Sequence, residues 1–532
     1  MKNKYGAFGK AMQGLNDKLS WLTIAGLSTL AAGCASSEKP DPDQPNIVFI
    51  MSDDHAYQAI SAYGGPLAEL APTPNIDRIA RDGMRFNRCL VTNSICGPSR
   101  ATILTGKYSH LNGFVANEAE PFDGRQLTFP KLLQQAGYQT ALVGKWHLES
   151  LPTGFDHWEI LPGQGDYYNP DFITKTDTVR EEGYVTEIIT RKSIEWISEA
   201  RKNGQPFMLM IHHKAPHRSW EPGPDELGMF GKVEFPEPST LFDDYANRGT
   251  AEHSQDMTIS KTMTLENDLK LSSTPPNRLT TEQSLAWEAV YDPILESFHA
   301  VKPTGDDLTR FKYQRYLQDY LACIAAVDKS VGAVLDYLKE NGLDKNTLVV
   351  YTSDQGFYLG EHGWFDKRWM FEQSLRTPLL MMLPGKIRPG SINNDMVSNL
   401  DLAETFLHFA RTEIPADMQG MSLLPLLEGK IIPDWRKEHY YHYYEYPGWH
   451  SVKRHYGITT DRYKLIHFYY DVDEWELFDL QKDPDEMINV YNHAAYVVVR
   501  DSLHRQLEKL RIKYLDSDSV QRHFLPNAGV KN

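Results

Sequence analysis

The 532-residue sequence predicts an α/β fold. The expected body is a large mixed, mostly parallel sheet flanked by helices, followed by a smaller C-terminal α+β subdomain built on an antiparallel sheet. Three observations predict it. Apolar, β-branched runs such as Asn46-Ile47-Val48-Phe49-Ile50-Met51 lack the alternation of a half-solvated strand, so they read as strands buried on both faces. These runs alternate with helical stretches, as parallel crossover units do. From about Asp434 the texture changes to aromatic segments separated by turn residues, as in antiparallel pairs.

Taken in order, the first strand at 46–51 runs into Ser52-Asp53-Asp54. Thr73-Pro74-Asn75, followed by Ile76, Ile79 and Ala80 and stopped by Gly83, reads as a helix with Pro near its first turn. Residues 128–137 read the same way and lead to a strand at 140–143 that opens into Gly144-Lys145-Trp146-His147. A helical pattern over 185–200 precedes the strand 207–211, which ends in His212-His213-Lys214-Ala215-Pro216-His217. Residues 218–306 are polar and punctuated by Pro, an insertion with helices beside the site whose function is not legible. A long helix over about 313–340 precedes the strand 348–351 and Ser353-Asp354-Gln355. In the C-terminal part, segments 440–446, 457–460 and 463–469 read as strands, Asp461-Arg462 as a hairpin turn, and 494–514 as an amphipathic helix packed on them.

In open parallel sheets, ligands bind outside the carboxyl ends of the strands. Four expected strands end there in Asp-Asp, Lys-x-His, His-x-x-x-x-His and Asp-Gln, which marks that edge as the candidate site. Composition limits what it serves. Hydrophobic residues make up 41% and charged residues 24%, which excludes a disordered, collagen-like or coiled-coil chain. Lys and Arg total 55 against 71 Asp and Glu, a net charge of −16 that argues against a nucleic-acid-coating protein. An anionic ligand therefore needs a local basic cluster. No stretch after the first 35 residues approaches the ~18 uninterrupted apolar residues of a membrane span.

The string Cys96-Gly97-Pro98-Ser99-Arg100-Ala101-Thr102-Ile103-Leu104-Thr105-Gly106 carries the chemistry. Pro98 starts a helix whose free N–H groups favour an anion, and Arg100 adds a planar fork for oxyanions. Cys-x-Pro-Ser-Arg followed by Thr-Gly resembles the signature of type I sulfatases, within the alkaline phosphatase-like superfamily. The resemblance runs in order over about 46–489. It implies that Cys96 is oxidised to formylglycine by a sulfatase-maturating enzyme. It also implies that Asp53, Asp54, Asp354, Gln355 and the modified Cys96 surround a divalent cation. All-oxygen ligation suits Ca²⁺ first and Mg²⁺ second. Gln355 departs from the commoner Asn or His at this place.

The same resemblance carries over to Lys145 and His147 in Gly-Lys-Trp-His, to His217 in Ala-Pro-His, and to Lys367 in Asp366-Lys367-Arg368. It implies attack on sulfur by a hydroxyl of hydrated formylglycine. Lys145, Lys367 and Arg100 would stabilise the sulfuryl oxygens, His217 would protonate the leaving sugar oxygen, and His147 would take a proton as the ester collapses. The string 353–368, with Tyr443-Tyr444-Glu445-Tyr446-Pro447 and Arg454-His455-Tyr456-Gly457-Ile458, is similar to bacterial N-acetylglucosamine-6-sulfatases. That likeness implies exo-acting removal of 6-O-sulfate from heparan- or heparin-type glycosaminoglycans or mucin O-glycans. His362, Trp449 and His450 are the candidate sugar-binding residues by position and chemistry. Two alternatives remain at this stage. One is a hydrolase of another specificity: 2-O-sulfated uronate, galactose-6-sulfate, choline sulfate, or a phosphonate or phosphodiester. The other is a non-catalytic glycan-binding lipoprotein.

The N-terminus reads as a signal peptide: Lys2, Lys4, Lys10 and Lys18 precede an apolar stretch at 19–32 too short to span a bilayer. It ends Leu30-Ala31-Ala32-Gly33-Cys34, similar to a bacterial lipoprotein cleavage box, so Cys34 would carry the lipid. An ordinary secretion signal with a free Cys34 is the alternative. The expected organisation is a signal at 1–34, a tether at 35–45, a catalytic domain at 46–433 and the C-terminal subdomain at 434–532. The expected location is the periplasm or the outer-membrane surface of a Gram-negative bacterium, with membrane contact only through the anchor. Cys89 and Cys323 read as buried core residues.

Overall fold

The first strand, β1 (Asn46–Ser52), has no exposed face, and its alternate residues serve two different cores. Val48 and Ile50 pack with the helices on one side, while Ile47, Phe49 and Met51 pack with those on the other. The apolar run is continuous because both faces of the sheet are covered.

This computed structural model describes residues 44–117, 120–200 and 204–525. The expected signal peptide, Cys34 and all of the tether before Gln44 lie outside them. After β1 come α1 (Ile76–Asp82), β2 (Met84–Leu90), α2 (Cys96–Thr105), α3 (Phe129–Gln135), β3 (Gln139–Lys145), β4 (His157–Leu161) and α4 (Val185–Ala200). Next follow β5 (Phe207–His212), α5 (Thr281–Val301), α6 (Gly305–Glu340), β6 (Thr347–Ser353) and β7 (Arg376–Met382). Among the described residues the main sheet has eleven strands, with the central order β2-β7-β6-β1-β5-β3-β4. The pairs β1–β5, β1–β6, β3–β5 and β3–β4 are parallel; β7 is antiparallel to both β6 and β2.

Register places the strand ends level. Met51 lies opposite His212, Ser52 opposite Ser353, and Gly144 opposite His212. Asp53, Lys145, His213 and Asp354 therefore emerge along one edge. Gly144 has φ 110°, and a Cβ there would stand 1.9 Å from the His212 carbonyl oxygen, so the bend that delivers Lys145 requires glycine.

Of the labelled strands of the body, β2, β4 and β7 were not read from the sequence. β2 carries the half-exposed Arg85, Asn87 and Arg88, which break its apolar run. β7 contains Pro378, tolerated where the register shifts between Thr377 and Leu379. Helix α6 begins earlier than its periodicity suggests, because residues 305–307 are exposed and show no apolar stripe; Asp306 and Asp307 instead favour the helix N-terminus electrostatically. The insertion contributes α5, opened by a Thr280–Gln283 capping box.

The C-terminal part is a four-stranded antiparallel sheet, β8 (Glu438–Tyr443), β9 (His455–Thr460), β10 (Tyr463–Phe468) and β11 (Glu474–Asp479), in sequence order, with α7 (Val497–Lys513) on one face. Ile458, Leu465 and Leu477 pack against Leu503, Leu507 and Leu510 of α7. The opposite face, with Tyr441, Ile466, Phe468 and Phe478, packs on Trp364, Trp369, Met370 and Phe371 of the body. The C-terminal sheet thus backs the segment that carries Lys367.

Candidate active site

Cys96 is the first residue of α2, preceded by the extended Ile95, so it sits where helix N–H groups are unpaired. All ten residues of α2 are buried. A Cβ on Gly97 would stand 2.5 Å from Phe114, which leaves only glycine room beside Cys96. Burial, and next the charge of Asp53, push the Cys96 thiol well above its usual range. An unmodified Cys96 is thus a protonated, poor nucleophile.

The rest of the motif holds α2 to the strand ends. Ser99 donates to the Asp354 carbonyl and accepts from Asn399 at 3.0 Å. Arg100 places Nε at 3.0 Å and Nη2 at 2.9 Å from one Asp354 oxygen, and donates Nη1 to the Lys145 carbonyl at 3.0 Å. This corrects the sequence expectation for Arg100. Its fork is committed to Asp354 and the Lys145 backbone, so its role in this geometry is to hold the carboxylate edge.

Asp53, Asp54 and Asp354 each bring a carboxylate oxygen within 4.8 Å of the others, all fully buried. Lys145 pairs with Asp53, and Lys367 Nζ lies 2.6 and 2.7 Å from the two oxygens of Asp54. Gln355 donates its amide to Asp54, which leaves Gln355 Oε1 buried without a partner; Asp53 Oδ1 is likewise buried and unpaired. Burial raises Asp54 to about 8, opposed by Lys367 and reinforced by Asp53 and Asp354. Burial acts on Asp53 in the same sense, but Lys145, His217 and Arg100 outweigh it and hold that carboxyl well below the usual range. Three crowded carboxylates, with Asp53 Oδ1 and Gln355 Oε1 buried and without a hydrogen-bond partner, fit a hard divalent cation.

Both histidines expected at the site, His147 and His217, have tautomers fixed by their neighbours. Lys145 can only donate, so Gln164 turns Oε1 to it and presents its amide to His147 Nε2 at 3.2 Å. His147 Nε2 is therefore an acceptor. His217 Nδ1 meets the Arg218 carbonyl at 2.8 Å, so Nδ1 carries the hydrogen. Its Nε2 stands 3.7 Å from Asp54, and a ring nitrogen of His217 lies within 4.8 Å of Cys96 Sγ and Asp53. Burial, then Lys145, lowers both imidazoles well below their usual range.

On the other side of Lys367, Arg368 pairs with Asp366, whose other oxygen is 3.1 Å from His450 Nε2. Arg368 approaches Glu445 at 4.0 Å, Glu445 accepts from the Asn117 N–H at 2.9 Å, and Asn117 accepts from the Gly97 N–H at 2.9 Å. Gln164, Asn117, Asp366, Arg368 and Glu445 were not assigned roles from sequence. Asp366 and Arg368 flank the Lys367 motif and were the readable signal; the others come from distant loops.

Of the expected sugar-binding residues, His450 joins this ring and Trp449 stands at its edge, 64% exposed. His362 is a correction. It is fully buried, bonded through Nδ1 to Asp243 at 2.9 Å, and packed among Tyr358, Trp364 and Phe371, so it is core rather than pocket wall.

The chain is similar to known proteins. A sulfatase family model matches residues 45–412, and a model for the C-terminal part of N-sulphoglucosamine sulphohydrolase matches 360–513. The chain is 50% identical over 519 residues to an N-acetylglucosamine-6-O-sulfatase of Bacteroides thetaiotaomicron, covering 94% of this chain and 92% of that one. It is 28% identical to the human N-acetylglucosamine-6-sulfatase over 74% of this chain and 66% of the human one. A solved structure of a relative in complex with its substrate, D-glucosamine-2-N,6-O-disulfate, superposes with a TM-score of 0.87 at 50% identity, covering 90% of this chain and 99% of that one. With the Cys-x-Pro-Ser-Arg helix, the acidic cluster and the two flanking lysines assembled at one strand edge, the chain belongs to the sulfatase family.

Proposed function

We propose that this protein removes the 6-O-sulfate from terminal N-acetylglucosamine or its N-sulfated counterpart, in heparan-type glycosaminoglycans or mucin O-glycans. The observation that carries this reading is the pairing of Lys145 and Lys367 on opposite sides of the acidic cluster beside Cys96. With a divalent cation among the three aspartates, Lys145, Lys367 and Arg100 would leave a local positive balance for a sulfate on an acidic protein. The regiochemistry rests on likeness to relatives named for 6-O-sulfated glucosamine.

Asp53, Asp54, Asp354 and Gln355 would hold Ca²⁺, with Mg²⁺ second, and such a cation supplies Lewis-acid polarisation and lowers the pKa of a bound hydroxyl. Formylglycine at position 96, made by a maturating enzyme, supplies paired hydroxyls in place of the inert thiol. Lys145 and Lys367 neutralise charge growing on the sulfuryl oxygens. A bound sulfate offsets the two lysines felt by His217 and favours the imidazolium that donates from Nε2 to the leaving sugar oxygen. His147 would take up a proton at Nε2, the nitrogen that the Gln164 amide keeps unprotonated in this structure, so that amide must give way as the proton arrives. Asp366, Arg368, Glu445 and His450 offer donors and acceptors to sugar hydroxyls, and Trp449 offers an apolar face at the rim. The N-terminal segment would export the chain and anchor it through Cys34 at a bacterial membrane surface.

The test is sulfate release from 6-O-sulfated N-acetylglucosamine beside its 3-O-sulfated isomer and a 2-O-sulfated uronate, with mass spectrometry of the Cys96 peptide. Release from the 6-O-sulfated sugar alone is expected. No release by protein with fully converted Cys96 would overturn the substrate assignment.

A further inference from the structure

Residues 218–306 gave no functional signal in the sequence, yet they reach the histidine that faces the leaving group. His217 is held at four points: its N–H donates to the Lys214 carbonyl at 3.0 Å, its carbonyl accepts from Tyr167 Oη at 2.5 Å and from the Trp220 N–H at 3.2 Å, and its Nδ1–H donates to the Arg218 carbonyl at 2.8 Å. Only the last fixes the ring. The orientation of Nε2 therefore depends on where the Arg218 peptide sits.

The Arg218 side chain is clamped from the insertion. Asp268 accepts Nε at 2.5 Å and Nη2 at 2.8 Å, the two-pronged geometry that a planar fork allows. Asp268 is itself prearranged: it is 1% exposed, and its Oδ2 accepts the Thr264 N–H at 2.7 Å and the Thr264 hydroxyl at 2.9 Å. Burial would raise the Asp268 carboxyl, but Arg218 leads the opposing interactions and leaves it below its usual range, so the clamp is charged. Arg218 also lies over the Phe365 ring at 5.1 Å, next to Asp366. A buried, doubly satisfied carboxylate thus fixes an arginine whose own carbonyl fixes the catalytic imidazole.

We infer that Asp268 is a positioning residue for the reaction, acting through Arg218 to keep His217 in the Nδ1–H tautomer with Nε2 turned to the leaving oxygen. The inference rests on the proton-donor role of His217 given above. Misplacing a proton donor costs rate while leaving the substrate's binding contacts in place. Asp268→Asn keeps the volume but removes the charge from the clamp. It is expected to lower kcat on 6-O-sulfated N-acetylglucosamine by roughly 10-fold with KM within about 2-fold of wild type.

The deciding measurement is a double-mutant cycle with His217→Ala, each rate normalised to the fraction of Cys96 converted by mass spectrometry. If Asp268 acts through His217, adding Asp268→Asn to His217→Ala changes the rate by less than about 2-fold. A roughly 10-fold loss in both backgrounds, or no loss in the first, overturns the inference. Should Asp268→Asn fail to melt cooperatively, Arg218→Gln enters the same cycle with the same expectations. A fully converted wild type that releases no sulfate from any sulfated sugar would instead overturn the functional reading, and this inference with it.

Discussion

At the scale of single residues, the site is a set of buried charges that hold one another in place. Lys145 and Asp53 are both fully buried, and removing one partner of such a pair leaves an uncompensated charge, a cost of roughly 3–5 kcal/mol. In the proposed reaction each lysine also neutralises charge developing on the sulfuryl group. Lys145→Ala and Lys367→Ala are therefore expected to lower kcat by about 10²- to 10³-fold each, measured by sulfate release. Cys96→Ala removes the only modifiable group at the helix N-terminus and is expected to abolish turnover; activity near wild type would refute the nucleophile assignment. Gln164→Leu removes the donor to His147 Nε2 and leaves Lys145 short of an acceptor. A loss in kcat larger than the change in KM is the expected result, on the order of 10-fold.

At the scale of elements, strand register and helix placement convert scattered motifs into a site. The level ends of β1, β3, β5 and β6 put two aspartates, a lysine, a histidine pair and the Asp-Gln dipeptide at one edge, and α2 closes over them through Arg100 and Ser99. Another contact between elements is pH-sensitive. Glu252, in the short helix Thr250–Ser254, faces Glu476 of β11 in a buried carboxyl pair. Burial raises both, Glu476 to about 7; Glu476 raises Glu252 further, whereas the hydrogen bond from Glu252 opposes the rise of Glu476. A carboxyl whose folded pKa is raised contributes stability that is fully present below its ordinary value near 4.5 and is lost as pH rises through about 7. The melting temperature is expected to fall by a few degrees across that window, and Glu476→Gln, which cannot ionise, is expected to flatten the fall. An unchanged pH dependence in Glu476→Gln would refute the assignment.

At the scale of the whole molecule, the C-terminal sheet is part of the catalytic body's core. Trp364, Trp369, Met370 and Phe371, which flank Lys367, are covered by Tyr441, Ile466, Phe468 and Phe478. The described residues from Gln44 to Leu525 accordingly belong to one compact unit. Deleting residues 434–525 would expose that aromatic cluster, and the remaining body is expected to aggregate or to lose cooperative melting in calorimetry. The metal cluster acts on the same scale, because its ligands join β1 to β6. Chelation by excess EDTA is expected to lower the melting temperature as well as to stop sulfate release, with both restored by Ca²⁺. Full activity retained after exhaustive chelation would rule out the cation.

What the sequence determined by itself was what local chemistry dictates. Doubly buried strands show as unbroken apolar runs, helix starts show as caps and Pro, and a cysteine at a Pro-started helix beside an arginine is a short-range pattern. Asp53, Asp54, Cys96, Lys145, His147, His217, Asp354, Gln355 and Lys367 were singled out because their strings resemble those of sulfatases in order along the chain, and the structure gathers them in one place. Tertiary structure alone decided what depends on partners far apart in the chain. Arg100 turned from the substrate to Asp354 because the β6 end lies against α2. His362 became core because Asp243 and three aromatic rings close over it. β2 and β7 escaped detection because polar edge residues and Pro378 hide strands that pairing alone stabilises. Gln164, Asn117, Glu445 and Asp268 carry no motif, since each acts through one hydrogen bond or ion pair to a residue at least 20 positions away, or, for Gln164, 17 and 19. Burial turns such long-range pairings into strong, directional constraints, and only the folded chain brings the partners together.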